Sequence, residues 1–594
     1  MKKDELRNKV NHHEDILKKL IAISDRVGYI KLLLVLLLGV LAFFIFSRDF
    51  PTELIVIGGV GLVALVALWV YHYKLHRKIN YSKGITNICK RHLARISGEW
   101  AAFPDVGEEF ISPDHPYSGD LDIVGKKSFF QLLNTTHTFH GRQAFAKGLL
   151  HTSFSNDELT RRQAAIAELS GDMDFAIHME QCFSKIGTHK SAEKLANDLG
   201  DKSIFVKRKS VKILLMYMPL LTIASMLSAI FLRQPHLYFI AIFFVAVQGF
   251  TWVVSMSKAL GYLSAISRLP YSIKAYSEVI EFLTKKSFEA DKLQQLQNRL
   301  ASDRQSAAQA IKDLGRIADK TNLKHNALIW FAANVLLLWD CWCAILFEKW
   351  KEKYANNAGH WLPTLGEFES LLCFANLPHI CGNTCIPTVS GDINVRDMGH
   401  PLIPDETRVD NDFVCNGNIF IVSGSNMSGK TTFMRTLGIN LVLARAGSYV
   451  CARKMTFYPL EIMTSMRIAD DLNEGISTFY AELKRIKKII ALAEKTPRMI
   501  FLIDEIFKGT NSVDRLSGAK IVIEKLAVLG VIGIITTHDL ELCDIVAPGT
   551  RIRNYSFSEE YRDGQIYFDY KINPGRSTTT NARYLMEMVG IYTQ

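Results

Sequence analysis

Gly424, Ser425, Asn426, Met427, Ser428, Gly429, Lys430, Thr431 and Thr432 spell G-x-x-x-x-G-K-T-T directly after the β-branched and aromatic run 418–423. That pattern suits the phosphates of a nucleotide. Glycines let the backbone wrap so that N–H groups point at a β-phosphate, and a helix starting at the loop adds its positive end. Lys430 neutralises phosphate oxygens, and Thr431 offers a hydroxyl to Mg²⁺. A second apolar run, 499–503, ends in Asp504-Glu505. Carboxylates at the carboxyl edge of a parallel sheet lie beside a bound ligand, so Asp504 is expected to hold Mg²⁺ through water and Glu505 to orient and deprotonate the attacking water. A third run, 531–535, leads into Thr536-Thr537-His538-Asp539. Its imidazole, His538, can hydrogen-bond a γ-phosphate. Singly, an acidic pair caps a strand and a histidine decorates a surface. Together, three strands ending in phosphate chemistry predict an ATPase using ATP and Mg²⁺ on an α/β P-loop (ABC-type) domain.

The rest of the 594-residue chain must position that site. With 48% hydrophobic and 22% charged residues it is too apolar for a disordered chain and lean in charge for a soluble enzyme. The apolar excess lies in runs 32–46, 54–73, 213–232 and 237–256. A bilayer span takes about 20 such residues; three runs reach that and the first is marginal. Their pairing predicts two transmembrane hairpins, at 31–78 and 213–256. Lys18, Lys19, Arg26, Lys31, Lys74, Arg77, Lys78 and Lys83 flank the first hairpin, and Lys202, Lys207, Arg208, Lys209, Lys212, Lys258 and Arg268 the second, whereas the two connections carry only Arg48 and Arg233. Lys and Arg resist translocation, so segment 1–30, the whole segment between the hairpins, which opens with the linker 79–116, and everything after 256 are expected on the cytoplasmic side of a cytoplasmic (inner) membrane, the ATPase included. These fifteen flanking cations exceed the net charge of +11 before nearby acids are counted, so topology explains most of the basicity and weakens charge as an argument for DNA. The mixed charge before the first run and the absence of a small-residue cleavage site mark an anchor rather than a cleaved signal. A fifth run, 327–347, carries Asn334 and Asp340. A mid-helix Asp costs about 2.5–3.5 kcal/mol to insert, and this run is read as a buried soluble helix. Ten scattered cysteines show no disulfide framework, and Cys381 and Cys385 with His379 fall short of the four ligands of a zinc site.

Further blocks fall in order around the loop: Ala469-Asp470-Asp471-Leu472, Gly475-Ile-Ser477-Thr478-Phe479 with Glu482, Asp504 through Gly509-Thr510 to Asp514 and Leu516-Ser517, and Thr537-His538. Gly399-His400-Pro401 and Asn411-Asp412 precede them, and Tyr570-Lys571, Gly575 and Asn581-Ala582 follow. In this combination the chain resembles the ATPase domain of the MutS mismatch-repair family. Leu121-Asp122-Ile123, Thr136-His-Thr138-Phe-His-Gly141-Arg142 and Arg162-Gln163 resemble the start of that family's helical core. The resemblance implies an all-α core or lever domain over 117–355, interrupted by the second hairpin, before an ATPase domain over 356–594. It also implies a homodimer with two ATP molecules between its heads, Ser477 and Thr478 reaching the partner's nucleotide, the turn 509–514 lying against the partner, and lever helices carrying the motion of closure. Without the family, Ser477-Thr478 reads as a helix cap with Glu482 near it.

Two departures shape the expectation. No Phe-x-Glu mismatch-reading segment precedes Leu121, and the stretch from Met256 to Ala327 is short for both a returning lever and a DNA clamp. The expected protein is a membrane-anchored MutS-like ATPase without a mismatch-recognition domain, surrounded by membrane lipid and associated with duplex or branched DNA. The alternative is an ATP-driven clamp on a protein partner. A transport ATPase fits less well: Leu516-Ser-Gly-Ala-Lys520 echoes a transporter signature but follows the acidic strand, where transporters place it before.

Overall fold

A computed structural model describes residues 2–47, 52–151, 154–187, 197–201, 204–206, 208–267, 270–301, 307–467, 478–508, 511–562 and 565–577. The chain divides into two compact units, 1–102 with 173–181, and 103–172 with 182–594.

The first unit is a long antiparallel pair, α1 (Lys2–Ser47) and α2 (Thr52–Ile96). Through the apolar halves the side chains away from the seam are exposed, Phe43 at 70% and Trp69 at 68%, while Leu38 and Leu41 face Gly61 and Gly58 across it. At the other end an amphipathic pattern takes over, and Leu6, Val10, Ile85, Ile88 and Cys89 bury one another together with Ile177. Both patterns are helical, so the helices run unbroken through residues 31 and 78. Lys9 pairs with Asp174 at 2.5 Å and His92 with Glu180 at 3.0 Å, tying in the first part of α6 (Met173–Ser184).

The second unit begins helical. α3 (Phe129–Leu133), α4 (Phe139–Leu150) and α5 (Asn156–Gly171) precede an apolar hairpin, α7 (Lys209–Leu232) and α8 (Pro235–Ser267), whose turn places Arg233 in the left-handed region. By length and composition α1, α2, α7 and α8 can each cross a membrane. α9 (Pro270–Lys285), α10 (Asp291–Ala301) and α11 (Ala307–Thr321) follow, three short helices rather than one long lever, with α10 and α11 folded onto α13 (Trp339–Ala375). α13 is the spine: α4, α5, α8, α10 and α11 all lie along it, and it is continuous through residue 355. Its contact with α4 is so close that a Cβ on Gly366 would sit 2.5 Å from the His140 carbonyl carbon. Three residues on, the buried Glu369 accepts hydrogen bonds from the Thr138 hydroxyl and the backbone N–H of His137 and Thr138, the residues that open α4.

Run 327–347 departs from the single buried helix expected. It breaks at Leu338, which is left-handed at φ 51°, into α12 (Ala327–Leu337) and the start of α13, bent by 75°. The second piece is largely buried, with Cys341, Cys343, Ala344 and Phe347 inside, while the first buries Asn334 and leaves Leu328, Ile329 and Phe331 83%, 51% and 56% exposed. Leu338 closes α12 by donating its N–H to the Asn334 carbonyl, and nothing in the Leu-Leu-Trp sequence announces that turn.

After the short α14 (Leu377–Ile380) the chain becomes mixed α/β. A four-stranded sheet orders β1 (Thr388–Val389), β5 (Lys454–Phe457), β2 (Ile393–Met398) and β3 (Asn411–Cys415). The main sheet runs β10 (Gln565–Pro574), β9 (Ile552–Arg562), β4 (Ile419–Ser423), β8 (Ile532–Thr537), β7 (Met499–Asp504) and β6 (Glu461–Ser465), parallel except for the β10 edge. α15 (Lys430–Arg445), α16 (Thr478–Lys495) and α17 (Ser512–Val528) are its helices. Burial on both faces explains why β4, β7 and β8 read as unbroken apolar runs. Ile489, Phe501, Ile523 and Leu526 are among the side chains of the core that α16 and α17 share with the sheet.

Candidate functional site

Parallel register sets Ser423 opposite Thr537 and Asp504 opposite Thr536, so β4, β8 and β7 end together at one sheet edge. The loop from β4 to α15 turns through three positive φ angles, at Gly424 (152°), Met427 (68°) and Gly429 (106°). A Cβ on Gly424 would lie 2.9 Å from the Phe557 carbonyl oxygen, which leaves room for glycine alone. Gly429 caps α15 and aims that helix's first N–H groups into the space the loop encloses.

Lys430 is 5% exposed, and its Nζ donates to the carbonyls of Gly424 (2.8 Å) and Ser425 (2.7 Å). Burial pushes its ammonium down to about 8, against the pull of Glu505, Asp504 and Glu559 in the other direction. The Thr431 hydroxyl donates to the Asp504 carboxylate, 3.0 and 3.1 Å from its two oxygens, and the Thr536 hydroxyl donates to the same group at 2.5 Å. Hard oxygens so gathered are the donor set Mg²⁺ prefers.

Glu505 sits at φ 48°, its N–H donating to Thr536, and one carboxylate oxygen meets His538 Nε2 at 2.6 Å while the other meets Lys508 Nζ at 3.1 Å. The hydrogen bond from His538, with Lys508 assisting, pulls the Glu505 carboxyl down to about 2 despite partial burial. The sheet edge thus brings Lys430, Thr431, Asp504, Glu505 and His538 into one constellation.

A cavity of about 510 Å³ opens on the loop, within the range of small-molecule sites. Asn426, Met427, Ser428, Gly429, Lys430, Thr431 and Thr432 line one side of it. Sequence reasoning gave no role to the residues opposite: His400, Ile403, Arg408, Phe557 and Tyr570. His400 and Tyr570 lay within blocks already noted; Arg408 and Phe557 carry no signal of their own, since they are distant in sequence and meet the loop only on folding. Arg408 is fixed between Asp405 (2.6 Å) and Asp410 (2.7 Å). Burial pushes His400 down to about 4, so it faces the cavity as a neutral ring.

Ser477 lies outside the described residues, as do Gly509 and Thr510; Thr478 opens α16, but its side chain is likewise outside them. Glu482, read as lying near a cap, is buried and accepts the backbone N–H of Phe507, a residue at φ 64° whose ring meets Phe479 at 5.7 Å. It holds in place the segment that follows Glu505.

Residues 420–592 match the family model MutS domain V, the match beginning one residue into β4. The chain is 31% identical over 255 residues to a DNA mismatch repair protein MutS of Shouchella clausii, covering 41% of this chain and 29% of that protein. It is 28% identical over 263 residues to the protein of that name from Methanococcoides burtonii, with the same coverages, and 31% identical over 213 residues to the one from Lactobacillus johnsonii, covering 34% and 24%. The match therefore spans less than a third of the length of these curated relatives. Together the domain match and the relatives support the MutS family for the carboxyl-terminal part of this chain.

Proposed function

We propose that this protein is a membrane-anchored MutS-like ATPase that hydrolyses ATP in a dimeric head to move its helical core, in association with DNA. The observation that carries the reading is the meeting of Lys430, Thr431, Asp504, Glu505 and His538 at one sheet edge, beside a loop whose first turn, at Gly424, has room for glycine alone. Lys430 and the first N–H groups of α15 bind phosphate oxygens. Thr431 and Asp504 hold Mg²⁺, which when bound neutralises phosphate charge. Glu505 orients and deprotonates water, and His538, already in contact with it, hydrogen-bonds the γ-phosphate.

Dimerisation is supported by the family resemblance and by α17, which exposes Val513 (77%), Ile521 (64%) and Val528 (87%) along one stripe. Anchoring in the cytoplasmic membrane, with the head on the cytoplasmic side, is supported by the four apolar helices and the cations at their ends. The names of the relatives support DNA as the load. One observation favours the second reading, a clamp on a protein partner: α9, α10 and α11 are short, α10 and α11 fold back on α13, and they leave no long clamp among the described residues.

ATP hydrolysis in nanodiscs, with homoduplex, mismatched or branched DNA at several salt concentrations, separates the two. Stimulation that fades as salt rises is expected for DNA. Indifference to every DNA would overturn that part of the proposal and leave the protein clamp.

A buried lysine that titrates near 8 also makes binding pH-dependent. Phosphate favours the charged ammonium, so ATP binding is expected to take up protons above pH 8 and to weaken as pH rises through that value. Calorimetry in buffers of different ionisation heat measures the uptake; none between pH 8 and 9 would contradict the role given to Lys430.

A further inference from the structure

We infer that α12 and the start of α13 form a re-entrant turn that dips into the bilayer beside α8 and presents Leu328, Ile329 and Phe331 to lipid acyl chains. The inference rests on the membrane reading of α7 and α8. α8 serves as a ruler. Trp330 and Phe331 set their rings 5.5 Å from Trp252; the Val335 carbonyl accepts from Gln248 Nε2 at 2.7 Å; Cys341 Sγ lies 3.0 Å from Ser255 Oγ; and Phe347 meets Tyr262 at 5.5 Å. The chain therefore descends from the level of residue 252 to that of 248, turns at Leu338, and climbs back through 255 to 262. Gln248 lies ten residues before Lys258, the first cation after the span, a depth of about 15 Å along a helix and roughly half of a 30 Å hydrocarbon core. Eleven residues are too few to cross, which fits an entry and exit on one side.

Polarity is sorted as lipid demands. Asn334, wholly buried, donates to the Trp330 carbonyl (3.0 Å) and accepts the Asp340 N–H (3.0 Å), while Trp330 Nε1 donates to the Asp340 carboxylate (3.0 Å). Gln248 is itself held by the Thr222 hydroxyl of α7 at 2.6 Å. The hydrogen-bonding groups at the turn face protein and the outward side chains are apolar. The exposed face of α12 thereby continues the lipid-facing surface of the hairpin on which it lies, and Asp340, whose charge argued against membrane insertion, has its partners in Trp330 and Asn334.

The test uses full-length protein in nanodiscs of phosphatidylcholine and phosphatidylglycerol, with a membrane-impermeant maleimide read peptide by peptide. Leu328→Cys and Phe331→Cys are expected to react at least about tenfold more slowly than Lys353→Cys on the water-exposed part of α13, and as slowly as Phe250→Cys on α8. Fast labelling at 328 and 331 with Phe250→Cys protected overturns the re-entrant turn and leaves the hairpin standing. Fast labelling at all four positions overturns the membrane reading and this inference with it. Unsubstituted protein gives a second readout: a lipid with a photoreactive acyl chain is expected to modify residues 327–337 as well as 209–267, and adducts confined to 209–267 overturn the inference.

Discussion

Glu505→Gln is expected to retain ATP and to hydrolyse it roughly 10²- to 10⁴-fold more slowly than the unsubstituted protein. The amide keeps the size of the side chain and can still accept from His538 or Lys508, which now hold the carboxylate at 2.6 and 3.1 Å, so the fold and the cavity should survive. What disappears is a group able to take a proton from water. The hydrogen bond from His538, with the Lys508 ammonium assisting, holds that carboxyl down to about 2, which makes it a weak base as it stands. A γ-phosphate bound at the site would compete for the same donors, and Lys508 and His538 turning toward it would return basicity to Glu505. Single-turnover hydrolysis and filter binding of ATP measure the two halves of this expectation, and normal turnover in the purified variant would remove Glu505 from the mechanism.

Lys430→Ala is expected to abolish productive ATP binding. The Nζ spans two loop carbonyls, and removing it takes away the buried cation and the link that ties residues 424 and 425 to α15. A hydrogen bond to a charged group is worth about 1.5–3 kcal/mol, roughly ten- to more than a hundredfold in affinity, and loss of loop shape adds to that. Equilibrium binding of a fluorescent ATP analogue tests it, with thermal unfolding as a control for the fold; unchanged affinity would show that the loop holds something other than phosphate.

How much of this could be read from the chain depended on how local the cause was. Asp504, Glu505 and His538 were legible because each stands at the end of a buried strand, where an apolar run stops abruptly at a chemical group, and Lys430 and Thr431 because a glycine-bounded loop of fixed spacing joins such a strand to the helix they open. Arg408 and Phe557 were not, because their place on the cavity depends on how β3 and β9 approach the loop, a matter of tertiary packing. The apolar runs gave the hairpins but not their ends: a helix passing from an all-round apolar pattern to an amphipathic one need not break, so α1 and α2 extend far beyond the runs. Conversely, 327–347 looked continuous because hydrophobicity is blind to a left-handed residue, and the break at Leu338 leaves one half exposed and the other buried.

The spine helix has a thermodynamic consequence. α13 spans 37 residues, about 55 Å, from the turn at Leu338 to the first elements of the α/β head. If closing the head on ATP shifts the near end of that rod, the far end shifts within its surroundings, and linkage is reciprocal: whatever resists movement at the far end must change ATP affinity by the factor with which ATP moves it. Were the far end seated in a bilayer, as inferred above, the thickness and tension of the membrane would become effectors of the nucleotide site, and ATP affinity measured in bilayers of different acyl-chain length would gauge the mechanical coupling.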